Sequence, residues 1–515
     1  MTPPLALLLL GAAFAIPAPL PAPTPEPAPA ALAPAPAGPD RSAPPAVAPA
    51  ALFVHPAPEV FPLGPGVTVH WVRVPGARRV SVIVNQWGGG AALDGELSWR
   101  AALTGGLRDV ATATWDATAL AAHEEALDMD VWTQTQLRVD TYEIDAAQAS
   151  LGPALELLRS VLTEPTYPRA DLSRAARDLT LRHTLQAPRD AATVAQRVAQ
   201  YARHPPDHPN GRPLDLGALA AVRPAHLREA AARMGALGPT DVIVAGDVSP
   251  AEWLEPLRAA LPGLGAELPR PPLADPPPLR PRVFAVDLPD NDQAYLLIGH
   301  PAPHRDHPDA AAYRAVDFAL GGAFLSRLNK VLREQHGLTY GVGASWSPYA
   351  RYGLWQAEVD VAEQNVQRAL ELLLAELAAV AGAGVTADEI ATAANAAAAS
   401  WNSAFQTAGS AAAFYDGLIA TEVPVAQRRA ALEALRAVTP DQTREVAARW
   451  FSGEGRVIVV VGDRKAIEAQ VRAAVGEPVW IDAKAAVLGQ FDRGFGRPRI
   501  RPDALNPAAP RPTAE

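Results

Sequence analysis

Across residues 354–361 apolar and polar positions alternate without a break. Trp355, Ala357, Val359 and Val361 fall on one side, and Gln356, Glu358 and Asp360 on the other. A period of two predicts a strand in a sheet with one buried and one solvated face. Residues 67–74 and 80–85 read as two more strands, joined through Pro75-Gly76. Between such stretches the period lengthens. Residues 365–380 place apolar side chains every three to four positions and predict a helix. Tyr313, Val316, Leu320, Phe324 and Leu328 recur at the same spacing, although Gly321-Gly322 predicts a break into two helices. The mixture predicts an α+β fold in which helices stack on a largely antiparallel sheet.

The pattern occurs twice. Ala154-Leu155-Glu156-Leu157-Leu158 returns as Ala369-Leu370-Glu371-Leu372-Leu373, and Val242-Ile243-Val244-Ala245-Gly246-Asp247 returns in the stretch 457–463. Gly105-Gly106 returns as Gly321-Gly322, at nearly the same offset of 215 to 216 residues. A Pro-rich stretch, 269–281, lies between the copies. An internal repeat of this length predicts two similar domains, 52–265 and 283–480, joined by a linker at 266–282.

Composition narrows the function classes. The chain has 515 residues, a formal net charge of −10 and 19% charged residues, without the basic face a nucleic-acid partner needs. Cysteine is absent, which excludes disulfides, thiolate metal sites and a cysteine nucleophile. Residues 5–15 (LALLLLGAAFA) form an apolar run ending in a small-x-small pattern, and 1–15 reads as a signal peptide despite the lack of a basic flank. The run is shorter than the roughly 20 residues a membrane-spanning helix needs. Residues 16–51 are a Pro/Ala-rich tether, and 481–515 read as a C-terminal tail. These features predict export to the periplasm or cell envelope of a bacterium, with the first apolar run either cleaved or kept as an anchor.

The most sharply marked stretch is LREQHGLTYGVGASW, 332–346, which turns from a helix pattern through His336-Gly337 into a strand pattern. It holds Arg333 and Tyr340 seven positions apart. Two plain roles are open: Arg333 as a cation at a helix C-terminus, and Tyr340 as an ordinary strand aromatic. His336 and Gly337 read as the helix stop and turn. Elsewhere, His204 and His208 have i, i+4 spacing, but Pro205, Pro206 and Pro209 forbid a regular helix and predict a loop. His300, His304 and His307 lie among prolines. His123-Glu124-Glu125 reads as a solvated helix face, and the NQWGGG stretch at 85–90 as a turn, since it lacks a phosphate-loop Lys.

The segment LGGAFLSRL at 320–328, followed by LREQHGLTY at 332–340, resembles the insulinase/pitrilysin family of zinc peptidases, and within it the bacterial and mitochondrial-processing-peptidase branch. The resemblance runs over nearly all of 52–480. Gly384-Val385-Thr386-Ala387-Asp388-Glu389-Ile390 is similar to a helix start of that family, and His208-Pro209 and Gly246-Asp247 stand where the family has a loop and a strand end. The resemblance implies one half of a clam-shell chamber in which peptides bind as an added strand. It also implies that zinc, where present, is held by H-x-x-E-H on a first-half helix and by a Glu about seventy residues on. Two His at i and i+4 converge on the metal from one helix face, and the Glu between them acts as general base.

That metal set is missing. The matching segment aligns on Trp99-Arg100-Ala101-Ala102-Leu103, and residues 97–122 contain neither His nor Glu. The later ligand should fall between Arg177 and His183, yet no Glu occurs between Glu164 and Glu229. The chain should therefore bind no cofactor itself. In the family an Arg and a Tyr at this seven-residue spacing point towards the scissile bond, and the resemblance implies that role for Arg333 and Tyr340. In two-chain members one subunit holds zinc and the other supplies the pair. The expectation is a non-zinc subunit of an exported heterodimeric metalloendopeptidase, acting on peptide or unfolded polypeptide with a zinc-bearing homologous partner. The alternatives are a catalytically inactive peptide-binding or scaffold protein of the cell envelope, and a lone peptidase with an unrecognised metal site.

Overall fold

The computed structural model describes residues 51–493, apart from 91–98, 207, 236–237, 264, 266–280 and 290. The expected signal peptide, most of the tether and most of the linker lie outside these residues. Among the described residues twelve strands form two six-stranded mixed sheets. The first contains β1 (Glu59–Gly64), β2 (Val67–Arg73), β3 (Arg79–Trp87), β4 (Asp130–Thr135), β5 (Val139–Ala147) and β6 (Thr240–Gly246), in the order β1-β2-β6-β3-β5-β4. The second contains β7 (Arg282–Asp287), β8 (Gln293–Ala302), β9 (Val342–Pro348), β10 (Gly353–Ala362), β11 (Val457–Gly462) and β12 (Val479–Asp482), in the order β12-β7-β11-β8-β10-β9.

The repeat is visible in the pairing. In both sheets the strand pairs β2/β6 and β7/β11 are parallel, and the next three pairs towards β4 or β9 are antiparallel. The far edges differ. β1 adds antiparallel to β2 from the N-terminal side, whereas β12 adds parallel to β7 from the C-terminal side. Strands β2 and β3, read as consecutive across Pro75-Gly76, do not pair with each other, because β6 inserts between them. β10 keeps the alternation read from the sequence, with Trp355, Ala357, Val359 and Val361 all buried. Residues 481–493 need correction. Ile481 lies in β12, and the helix Ala483–Leu488 buries Ala486, Val487 and Leu488, so the tail does not begin at 481.

The helices are exchanged between the halves. The first-half helix Ala191–Arg203 lays Val194, Val198 and Ala199 on Phe284, Leu297 and Val459 of the second sheet. Reciprocally, the second-half helix Ala408–Ala420 lays Ala411, Ala412 and Tyr415 on Val72, Ile83 and Ile243 of the first sheet. The opposite faces are covered by each half's own helices, Leu151–Thr163 on the first sheet and Val366–Ala383 on the second. Central strands are thus buried on both faces, which is why β6 and β11 are near-continuous apolar runs instead of alternating. Residues 51–56 reinforce the exchange. Trp401 Nε1 donates to Phe53 O at 2.8 Å, Tyr415 Oη donates to Pro56 O at 2.6 Å, and the His55 ring stacks on Phe414. Among the described residues no single helix is long and apolar enough to cross a membrane.

Candidate functional site

The corner at 321–342 is built by glycines that let two elements touch. The helix Ala310–Leu320 stops at Gly321, and a Cβ there would sit 2.3 Å from the Ala344 Cβ on edge strand β9. Gly105 does the same job in the first half, where a Cβ would strike Thr135 at the end of edge strand β4. At Gly322 a Cβ would fall 2.8 Å from Phe318 Cα. The chain then makes the short turn Arg327–Asn329 and a π-helical stretch, Lys330–Gln335. Asn329 is buried and behaves as an extra backbone partner for β9. Its Nδ2 donates to Val342 O and its Oδ1 accepts from Val342 N, both at 2.9 Å. Gly337, at φ +61°, reverses the chain with Leu338 N donating to Leu332 O. His336 and Gly337 are therefore the stop and turn the sequence suggests.

Arg327 secures this corner to the next helix. Its Nε and Nη2 donate to the two oxygens of Glu389 at 2.7 and 2.6 Å. Glu389 also closes the capping box with Thr386 at the start of Ala387–Ser403. Burial raises its carboxyl, but the Arg327 and Thr386 donors outweigh that and hold it down to about 2. The two stretches that carry the second-half resemblance are thus physically joined.

Arg333 and Tyr340 stand out by what they lack. Tyr340 is 93% exposed, in the turn before β9, so it does not pack as a strand aromatic. Arg333 makes no ion pair among the described residues, and its guanidinium carbon lies 4.1 Å from the centre of the Phe324 ring. The Phe324 and Leu325 side chains are 61% and 66% exposed. Phe324 therefore leaves the apolar ladder on which the sequence placed it. The Gly-Gly break turns the chain outward at that point, and the glycines were the signal that could have shown it.

The two segments that align with the family's metal set do come together, with the wrong chemistry. Trp99, at the start of the helix Trp99–Gly106, lies 5.5 Å ring to ring from His183, and its Nε1 donates to Asp215 O. Leu103 is buried in the apolar core. Burial, with Arg197 and Arg182 adding to it, lowers the His183 pKa. One imidazole beside an indole and two cations does not fit zinc, which needs three or four converging N, S or O donors. Among the described residues no three His, Cys, Asp or Glu are grouped to hold a metal ion. His204 and His208 stack at 4.4 Å in the loop after Ala191–Arg203, and His300 is enclosed between Trp355 and Phe451.

A buried polar group that sequence reading passed over lies close by. Arg108, fully enclosed, donates to the Tyr142 hydroxyl, and Asp140 on β5 is pushed up to about 6 by burial, against the pull of Arg108. It underpins the β4–β5 edge.

Residues 225–397 match the family model described as the peptidase M16 inactive domain. Over that stretch the chain is similar to a peptidase M16 inactive domain. The match starts in the first half and crosses the linker. An uncharacterized zinc protease of Streptomyces coelicolor is 32% identical over 166 residues, which are 30% of this chain and 35% of that protein. The chain thus spans about a third of this curated relative. A peptidase M16 inactive domain from Pseudomonas fluorescens aligns at a TM-score of 0.68 with 22% identity, covering 79% of this chain and 98% of that one. A protease from Helicobacter pylori aligns at 0.66 with 15% identity, covering 79% and 100%. The periplasmic protease PqqL from Escherichia coli aligns at 0.61 with 14% identity, covering 82% and 49%. These structures share the fold, and the M16 match upholds the insulinase/pitrilysin resemblance drawn from the sequence.

Proposed function

We propose that this M16 chain is the exported, zinc-free subunit of a two-chain zinc endopeptidase, with Arg333 and Tyr340 completing a homologous partner's active site. The single observation that carries the reading is the pair itself. The fold spends two glycines, a buried Asn329 and a double Arg327–Glu389 bond on a rigid corner, and the corner presents a Tyr that is 93% exposed and an Arg with no carboxylate partner among the described residues. Two free donor side chains on a fixed frame suit the backbone of a bound polypeptide. Aimed at the oxygen of the carbonyl under attack, the Tyr hydroxyl and Arg guanidinium would stabilise its developing charge. The chain's own first half, with Trp99 and Leu103 in place of ligands, would serve as chamber wall, and the zinc would be the partner's. Export rests on the apolar run at 5–15 and agrees with the periplasmic setting of PqqL.

The test is co-expression with a zinc-bearing M16 homologue. A stable complex should cleave unfolded polypeptide, and Tyr340→Phe or Arg333→Ala should lower kcat by about 100- to 1000-fold. Full activity in both variants overturns the reading. Polypeptide binding without cleavage in any such complex would instead identify an inactive binding protein or scaffold.

A further inference from the structure

Beyond the Arg/Tyr pair, the structure assigns a third residue to this corner: we propose that Phe324 is a positioning residue for Arg333, holding its guanidinium flat so that its N–H donors face a bound polypeptide. The inference rests on the reading that Arg333 meets substrate backbone, and it adds how that side chain is aimed.

Three observations support it. An arginine kept for structure is ordinarily fixed by a carboxylate, as Arg327 is by Glu389, whereas Arg333 has no such partner among the described residues. What it has is a ring face, with the guanidinium carbon 4.1 Å from the Phe324 centroid. A ring face satisfies the cation without a hydrogen-bond acceptor, and so leaves the guanidinium N–H groups for another partner. The second observation is that Phe324 is 61% exposed, on a surface where a large apolar side chain loses contact with the core. Its neighbours show that the exposure is imposed by the backbone: Gly321 and Gly322 admit no side chain, and Ser326 N donates to Ala323 O to close the turn. The third is rigidity. Residues 321–329 are tied to β9 through Asn329 and to Ala387–Ser403 through Arg327, so the ring is carried on a fixed base. A long arginine side chain free in solvent would lose rotamer entropy on binding. Resting on a fixed ring, it has lost part of that already.

The consequence can be separated from a plain folding role. The probe is fluorescein-labelled, reduced and carboxymethylated α-lactalbumin, an unfolded polypeptide, titrated by anisotropy into the full chain. Arg333→Ala should weaken binding by about tenfold, as loss of charge-assisted hydrogen bonds does. Phe324→Leu, an apolar change at an exposed site that should leave the melting temperature alone, should weaken it about two- to fivefold. Phe324→Trp, which keeps a ring face, should restore it. In an Arg333→Ala background Phe324→Leu should add nothing, because the ring acts only through the cation. Wild-type binding by Phe324→Leu alongside weakened Arg333→Ala overturns the role of Phe324 alone, as does full additivity of the two. Failure of the wild-type chain to bind the probe, or wild-type binding by Arg333→Ala, removes the reading of Arg333 beneath it.

Discussion

Arg327 and Glu389, 62 residues apart, form a two-bond ion pair that clamps the loop before Arg333 to the first turn of the helix Ala387–Ser403. Both side chains are about three-quarters buried, so solvent screens the pair less than it would on the surface. Glu389→Gln, or Arg327→Ala, should destabilise the chain by about 1–2 kcal/mol. The pair also has a pH signature. With its folded pKa at about 2 and an ordinary value of 4.5, Glu389 contributes stability that is complete above pH 4.5 and lost as pH falls towards 2. Urea midpoints measured at pH 7 and at pH 3.5 should diverge less in Glu389→Gln than in wild type. An equal divergence in both would mean that the pair is spectator to the fold.

Tyr340 contributes next to nothing to stability, because a side chain 93% exposed has little apolar contact to lose. Tyr340→Phe should melt as wild type does, within about 0.5 kcal/mol. The prediction separates structure from chemistry at one oxygen atom: an unchanged melting curve with collapsed activity in the two-chain complex is the expected outcome. A large loss of stability would return Tyr340 to the role of a packing residue.

How much of this was legible follows from what each signal encodes. The repeat and the alternation at 354–361 report burial, and burial is what the fold conserves, so both halves and their central strands could be read. The exchange of Ala191–Arg203 and Ala408–Ala420 between sheets could not, because an amphipathic helix states that it needs an apolar surface and not whose. Phe324 was assigned to a core ladder for the same reason: spacing counts positions and is blind to the change of direction at Gly321-Gly322. Arg333 and Tyr340 stand out in the sequence by their place around a helix-to-strand corner, but only the family resemblance gives them a role. The structure adds that Arg333 has no carboxylate partner among the described residues and that Tyr340 is 93% exposed, and no sequence pattern states that. At the place of the absent metal set, the residue types alone were decisive, since Trp99 and Leu103 cannot ligate in any geometry.

Gly321 tests the frame that carries the pair. A methyl group there would sit 2.3 Å from the Ala344 Cβ and 3.0 Å from its backbone N, so strand and loop must part. Gly321→Ala should cost about 1–3 kcal/mol and speed amide exchange at Val342 and Ala344, the residues that hold β9 to the corner. Gly337→Ala is the control. Its Cβ would meet nothing within 4 Å, but φ of +61° disfavours a side chain, so it should cost about 1 kcal/mol and leave β9 protected. Equal effects on β9 from both variants would show that contact with Gly321 does not set the position of the edge.

His300 makes the second half acid-sensitive. Its ring is fully buried between Trp355 and Phe451, Nδ1 lies 2.7 Å from Pro301 O, and burial beside the Arg456 cation lowers its pKa to about 3. The unfolded chain takes up a proton near pH 6.5 that the folded chain refuses. Stability from the neutral ring is therefore complete above pH 6.5 and is lost as pH falls, at up to about 1.4 kcal/mol per pH unit. Between pH 6.5 and 5 this amounts to about 1.5–2 kcal/mol. His204, also lowered to about 3, acts in the same direction from the first half. His300→Phe keeps a ring against Trp355 and removes the titration. It should be less stable than wild type at pH 7.5, having lost the Pro301 contact, yet its urea midpoint should fall less between pH 7.5 and 5. If His300→Phe follows the wild-type pH dependence in full, the imidazole takes up its proton equally in the folded and unfolded chains and the acid sensitivity belongs to other groups.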